Sequence, residues 1–150
     1  MKKKVLFTSL ALALGAGFAV TAFAQAKPEV LVKQRQAAMT LQGKYLGPLV
    51  GILKGAPYDA NVVARNAAFL DALTQMPWDG FAESTKGEKT RALPAIWAEP
   101  AKFKQAQDQL RSAVGQLVSA SKGGDEGAVK AAIGNVGKAC GSCHDNFREK

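Results

Sequence analysis

The sequence of 150 residues contains only two cysteines, one histidine and three methionines. Two cysteines and one histidine give three side-chain ligands, one fewer than a structural zinc site uses. β-branched runs and strict alternation of apolar and polar residues are scarce, which argues against a β-sheet protein. No segment interleaves basic with aromatic residues, so the composition does not indicate a surface that binds nucleic acid.

The amino-terminal end has the layout of a secretory signal peptide. Three lysines at 2–4 precede an apolar run, which is followed by the small-x-small cleavage signal AFA at 22–24. This pattern predicts removal of residues 1–24, cleavage before Gln25 and export, most simply to a bacterial periplasm. The apolar run is short for a membrane span of ~20 residues and has no basic stop after it, so we expect no span in the mature protein.

Cleavage would leave residues 25–150, which is the size of one ordinary domain. The loss of three lysines lowers the formal net charge from +8 to +5. This modest positive charge favours acidic partners, although we expect most of the lysines to lie on a solvated surface.

Apolar residues repeat at helical spacing in four stretches, at about 28–54, 59–76, 100–122 and 125–147. Residues 77–99 lack this period and are predicted to form a long irregular connection, which in a small domain is usually functional or packs over something. The pattern therefore predicts an all-α protein, an antiparallel four-helix bundle.

The predicted inward faces contain polar exceptions. Arg35 and Gln42 lie on the inward face of the first helix, although both are polar. The apolar positions that the same spacing directs inward include Leu53, Phe69 and Met76. A polar side chain on such a face needs a hydrogen-bonding or charged partner, so the two exceptions mark positions of interest.

Four glycines of the first helix are spaced four residues apart, and a proline lies among them: Gly43, Gly47, Pro48, Gly51 and Gly55. Inside a helix a glycine costs about 1 kcal/mol against alanine, and a proline costs about 3 kcal/mol. Three interpretations remain open at this point. The glycines allow a close contact inside one chain, the helix ends early near Gly47, or the smooth ridge is the interface of a homodimer.

The carboxyl end, KACGSCHDNFREK, gathers both cysteines and the histidine within five positions, Cys140, Cys143 and His144. A redox disulfide is one interpretation, but redox Cys-x-x-Cys pairs lie at a helix start, where the helix dipole stabilises the thiolate. Here the pair lies in the last turns of the fourth helix. A zinc site would lack its fourth ligand.

The same motif, Cys-x-x-Cys-His, is the attachment signal of c-type haem. Residues three apart lie on one side of a helix, so the thiols of Cys140 and Cys143 can both add to the vinyl groups of one haem. His144 then follows as the proximal ligand of the iron. We therefore predict one covalently attached haem c per chain. Three nearby glycines are expected to let the flat ring lie against the backbone, namely Gly134, Gly137 and Gly141.

At this point the sequence resembles the class II c-type cytochromes, which include cytochrome c′ and low-spin relatives with a methionine ligand. In most c-type cytochromes the haem motif is near the amino end, whereas here it ends the last helix of a bundle, as in class II. The resemblance covers the mature chain and is strongest in GNVGKACGSCHDNFREK, KGAPYDA, PAIWAEPAKF and KQRQAAM.

The resemblance implies further haem contacts. Arg35 and Gln36 would lie beside the haem, with Arg35 near a propionate, which accounts for an arginine on an inward face. An acidic side chain across the bundle is the alternative partner for Arg35. Arg148, one turn after His144, would shape the proximal side or complement the helix end. Residues 83–93 depart from the family pattern, so no loop contact is assigned.

Met39 decides between two functions that the resemblance implies. As an iron ligand opposite His144 it would give a low-spin electron carrier that serves redox partner proteins, which is our main prediction. The alternative is a five-coordinate, high-spin iron that binds nitric oxide or carbon monoxide, with Met39 covering the iron without a bond. Met39 as plain core is also open. An enzyme is not expected, because peroxidase-like chemistry needs distal acid–base groups and no second histidine exists.

Overall fold

The computed structural model describes residues 26–150, so the predicted signal peptide lies outside the described residues. The helices are α1 (Pro28–Leu53), α2 (Ala60–Leu73), the short α3 (Ala95–Ala98), α4 (Pro100–Gly123) and α5 (Glu126–Phe147). The four long helices form an antiparallel bundle, which confirms the predicted fold. No strand occurs in the part of the chain that is described. Across residues 26–150, no helix is both long and apolar enough to cross a membrane.

Acidic side chains cap two of these helices. The Oδ1 atom of Asp59 accepts hydrogen bonds from the backbone N–H groups of Asn61 and Val62 at the start of α2. Asp125 caps the start of α5 in the same way, with the amides of that helix. Such caps satisfy amide groups that have no partner inside the helix. α4 is followed by Gly124, whose φ of 74° lies in the left-handed region that glycine adopts without strain.

α1 continues through Pro48 to Leu53, so the helix does not end early near Gly47. Two buried amide side chains bind α1 to α2 in this region. Asn66 Nδ2 donates to the carbonyl of Tyr45 at 3.1 Å, and Gln42 Nε2 donates to the carbonyl of Leu73 at 3.0 Å. These bonds stabilise a helix pair in which Pro48 has removed one backbone donor.

The main core lies between the four long helices, and its most deeply buried side chains include Leu49, Val63, Val114, Leu117 and Ile133. Three of the predicted inward positions are wrong. Leu53 is 43% exposed, Phe69 is 44% exposed, and Met76 is 57% exposed and lies beyond the end of α2. Leu53 and Phe69 fail by a small rotation about the helix axis, since the buried face runs through Ile52 in α1 and through Val63 and Leu70 in α2. Met76 fails because α2 ends at Leu73.

The connection between α2 and α4 packs over one end of the bundle. It contains two 3₁₀ turns, Asp79–Phe81 and Glu83–Thr85, followed by α3. Phe81 of the connection lies 4.9 Å from Phe103 of α4, and Phe103 lies 5.1 Å from Phe147 of α5, both edge to face. Edge-to-face pairs of this kind stabilise aromatic clusters, so the long connection packs in a defined position against the bundle.

The glycine ridge of α1 makes almost no contact inside the chain. A Cβ atom built at Gly43, Gly47 or Gly55 would meet nothing within 4 Å, and one at Gly51 would meet only Ala56, at 3.7 Å. The interpretation as a close intrachain contact is therefore wrong. Within this ridge, the backbone conformation requires glycine only at Gly55, where φ is 97°.

Candidate haem-binding site

A cavity of about 640 Å³ opens between α1, the connection and α5. Ligand pockets in proteins span roughly 300–1,000 Å³, so the cavity has room for a large cofactor. All the residues that the sequence predicts for the site line it, namely Arg35, Gln36, Met39, Cys140, Cys143, His144 and Arg148. The side chains of α1 and α5 therefore meet around one space.

The wall from α5 carries the chemically reactive groups. Cys140 and Cys143 are partly buried and are free thiols, so they form no disulfide with each other. Burial raises the pKa of both thiols. Among residues 26–150, no cluster of three or more His, Cys, Asp or Glu side chains has the geometry of a metal site. The two thiols instead lie one helical turn apart along the cavity, which suits addition to two sites on one flat molecule.

His144 follows the thiols and lines the same cavity. Burial, and then the positive charges of Arg148 and Arg91, lower the pKa of His144. A lowered pKa keeps the imidazole neutral near pH 7, and the neutral imidazole is the form that binds iron.

The wall from α1 contains a buried cation. Arg35 is only 4% exposed, and its guanidinium donates hydrogen bonds to the carbonyl of Gly80 and, at 3.2 Å, to the hydroxyl of Thr90. It lies 4.3 Å from the centre of the Phe81 ring. Burial lowers the pKa of Arg35. No acidic side chain pairs with Arg35 in the described part of the chain, so the acidic partner considered from the sequence is absent there.

The third wall comes from the connection, in which the sequence assigned no contact to residues 83–93. Trp78, Phe81, Thr90 and Arg91 line the cavity. The connection is joined to the end of α5 by backbone hydrogen bonds, since Leu93 N–H donates to Phe147 and Glu149 N–H donates to Arg91. The length of the irregular connection, residues 77–99, was the sequence signal for this wall.

The glycines of α5 do not have the predicted role. Gly134, Gly137 and Gly141 are not among the residues that line the cavity, and a Cβ atom at each would meet nothing within 4 Å. Gly43 of α1 lines it instead. The prediction was wrong because these glycines lie on the side of α5 next to the thiol-bearing face, and that side does not face the cavity.

The residues present fit a covalently attached haem. Two free thiols lie one turn apart, a neutral imidazole follows them, and most of the cavity surface is apolar, as a porphyrin ring requires. The buried guanidinium of Arg35 has no anionic partner in the described chain, and a propionate would supply one.

The family comparison decides the identity. The family model described as cytochrome C′ matches residues 30–148. The chain belongs to the cytochrome c′ family. It therefore carries covalently attached haem c with its iron, as the sequence predicted. The cytochrome c′ of Rubrivivax gelatinosus is 42% identical over 83% of this chain and 98% of that protein.

Solved structures agree with this membership. The crystal structure of the Rubrivivax gelatinosus cytochrome c′ has a TM-score of 0.78 at 42% identity, over 82% of this chain and 98% of that one. A nitric oxide complex of a variant of cytochrome c prime from Alcaligenes xylosoxidans has a TM-score of 0.78 at 40% identity, over 84% of this chain and 98% of that one. A cytochrome c-554 from Cereibacter sphaeroides is 35% identical over 81% of this chain and 82% of that protein.

Proposed function

We propose that this cytochrome holds a five-coordinate, high-spin haem and binds a small neutral gas, nitric oxide or carbon monoxide. The observation that carries this proposal is the nitric oxide complex formed by a variant of a relative that has the same fold at 40% identity. Our main prediction from the sequence, electron transfer, has less support, because none of the relatives compared above is described by an electron-transfer role.

The proposed attachment uses the end of α5. Cys140 and Cys143 would hold the ring through thioether bonds, and His144 would bind the iron through one nitrogen. The haem supplies an iron with one open position, which is the chemistry of gas binding. The chain then has two tasks: to keep His144 neutral and directed into the cavity, and to keep the other side of the ring dry.

The remaining predicted contacts concern the edges of the ring. Arg35 would neutralise a propionate, since its guanidinium is already fixed by Gly80 and Thr90 and needs an anionic partner. Gln36, the next residue of α1, is exposed at the rim of the same cavity and would contact the ring edge. Arg148 and Arg91 would place positive charge beside His144.

Met39 would cover the open position without bonding to the iron. Its side chain is partly buried and lines the cavity from α1. A thioether facing the same space as His144 is also the observation that favours the second candidate, electron transfer through histidine–methionine ligation. The absorption spectra of the ferric and ferrous protein separate the two candidates. We expect high-spin spectra and ready addition of carbon monoxide, whereas a low-spin spectrum with a methionine-to-iron band would contradict the proposal.

The variants Met39→Ala and Met39→Leu sharpen this test. We expect both to keep the high-spin spectrum, because neither change removes an iron ligand. Met39→Ala should bind carbon monoxide about tenfold faster, since it removes a steric cost of about 1–3 kcal/mol, while Met39→Leu keeps the bulk and should stay near the wild-type rate. Stopped-flow mixing measures both rates. A change from low-spin to high-spin in Met39→Leu would establish Met39 as a ligand.

We propose that the protein acts in the periplasm after removal of residues 1–24, as the sequence pattern predicts. There it would bind gas, or exchange electrons with redox partner proteins, without catalysing a reaction. Mass spectrometry of the mature chain, with Gln25 as the expected first residue, tests the export.

We also propose a homodimer through α1 and α2. A Cβ atom at Gly47 would meet nothing within 4 Å inside the chain, and four exposed apolar side chains lie on or just after these helices: Leu41, Leu53, Phe69 and Met76. Sedimentation should show a dimer that Gly47→Glu converts to monomer. Gly115→Glu, at an equally open glycine of α4, should leave the dimer intact. A wild type that stays monomeric at high concentration would contradict the proposal.

A further inference from the structure

Gln42 is a buried polar residue that the proposed haem contacts do not use. It is 8% exposed and lines the cavity from α1, three residues after Met39. Residues three apart on a helix are neighbours on one face, so the amide lies beside the methionine that would cover the iron. The sequence already showed a glutamine at an inward position, and the structure places this glutamine in the cavity wall.

The orientation of this amide is fixed by chemistry. Its partner, 3.0 Å away, is the backbone carbonyl of Leu73 near the end of α2, and a carbonyl only accepts. The nitrogen Nε2 must therefore face Leu73, which leaves Oε1 and the second N–H for other partners. Within residues 26–150 no protein group makes a hydrogen bond with Oε1.

The free end of the amide is accessible, in a residue that lines the cavity. The only buried side-chain nitrogen or oxygen without a hydrogen-bond partner in the described chain is Nε of Arg111, so Oε1 of Gln42 is not sealed inside protein. Leu46 and Leu70, which line the same region, are apolar. The amide is thus a polar group set in a mostly apolar wall, where a hydrogen bond is less weakened by water.

We propose that Gln42 is a specificity-determining residue that offers a hydrogen bond to a small ligand on the Met39 side of the haem. The pocket then selects ligands by hydrogen bonding as well as by size, and favours polar diatomic molecules over purely apolar ones. This inference rests on the proposed function, because it requires the ligand to occupy the space beside Met39.

The infrared C–O stretching band of the ferrous carbon monoxide complex tests the inference. A polar group near the bound diatomic molecule changes its bond polarisation, so we expect the band to shift in Gln42→Leu and in Gln42→Met. Gln42→Met is the second variant because it keeps an unbranched chain of similar length. We expect a rise in frequency, because the second N–H is the only group of this amide that can donate a hydrogen bond to the ligand. A fall would show that Oε1 faces the ligand and would contradict the hydrogen bond, since carbon monoxide has no hydrogen to donate.

Asn66→Leu is a matched control. Asn66 is 2% exposed and joins the same two helices by a similar bond, from Nδ2 to the carbonyl of Tyr45 at 3.1 Å, but it does not line the cavity. Asn66→Leu should lower the stability about as much as Gln42→Leu and leave the C–O band at its wild-type position.

Two further results would overturn the role of Gln42 alone. One is an unchanged C–O band in both Gln42 variants. The other is an equal shift in Asn66→Leu, which would assign the effect to loosened packing between α1 and α2. A wild type that binds no carbon monoxide would instead overturn the proposed function, and the inference with it.

Discussion

Replacing both Cys140 and Cys143 by serine is expected to abolish covalent haem attachment and to destroy the cooperative unfolding of the bundle. Without thioether bonds, acid–acetone extraction should leave the chain colourless. The cavity of about 640 Å³ would then lack its filling. Its apolar walls would then face water, and the loss of that burial should remove a large part of the stability of the bundle.

Circular dichroism during thermal unfolding measures this loss. The double variant should show a broad, low-temperature transition in place of a sharp one. Ser142→Ala is the control, because Ser142 lies between the cysteines, is exposed and does not line the cavity. It should keep the haem and the sharp transition. A double variant that holds no haem and still unfolds cooperatively near the wild-type temperature would contradict the packing argument.

The second large effect is expected at Gly80, where the connection crosses α1. A Cβ atom at this position would lie 2.5 Å from Cβ of Arg35 and 2.8 Å from the carbonyl oxygen of Leu31. These contacts can be relieved only if the connection moves away from α1. Gly80→Ala should therefore lower the free energy of unfolding by about 1–3 kcal/mol. It should also displace the Gly80 carbonyl that accepts hydrogen bonds from Arg35 and Thr85.

Gly87→Ala is the matched control, because Gly87 belongs to the same connection and a Cβ atom there would meet nothing within 4 Å. Its φ is not positive, so alanine introduces no backbone strain. Chemical denaturation should place Gly87→Ala within about 0.5 kcal/mol of the wild type. Equal stabilities for the two variants would show that the connection does not pack closely on α1.

Much of the site could be predicted because its chemistry is local. The 3- and 4-residue spacing of α5 predicted its inward face, and the spacing of Cys140, Cys143 and His144 predicted the haem motif without any tertiary information. The position of Arg35 on an inward face likewise indicated a buried cation, which the structure contains. Local patterns of this kind depend on helix geometry alone.

The parts that could not be predicted depend on contacts between distant segments. The tight crossing at Gly80 is set by α1, which lies 45 residues earlier at Arg35. The bond from Gln42 to Leu73 requires knowledge of where α2 ends. Phe69 was assigned inward because periodicity gives a face but not the direction of the neighbouring helix, and Met76 because the sequence pattern extended the second helix to residue 76.

The most direct test of the account is mass spectrometry of a tryptic digest of the purified wild-type protein. Trypsin cleaves after Lys138 and Arg148, which releases the peptide ACGSCHDNFR. We predict that this peptide, and no other, carries the mass of one haem and absorbs visible light. An unmodified peptide from protein that was exported intact would contradict haem attachment at Cys140 and Cys143, and with it the gas-binding site.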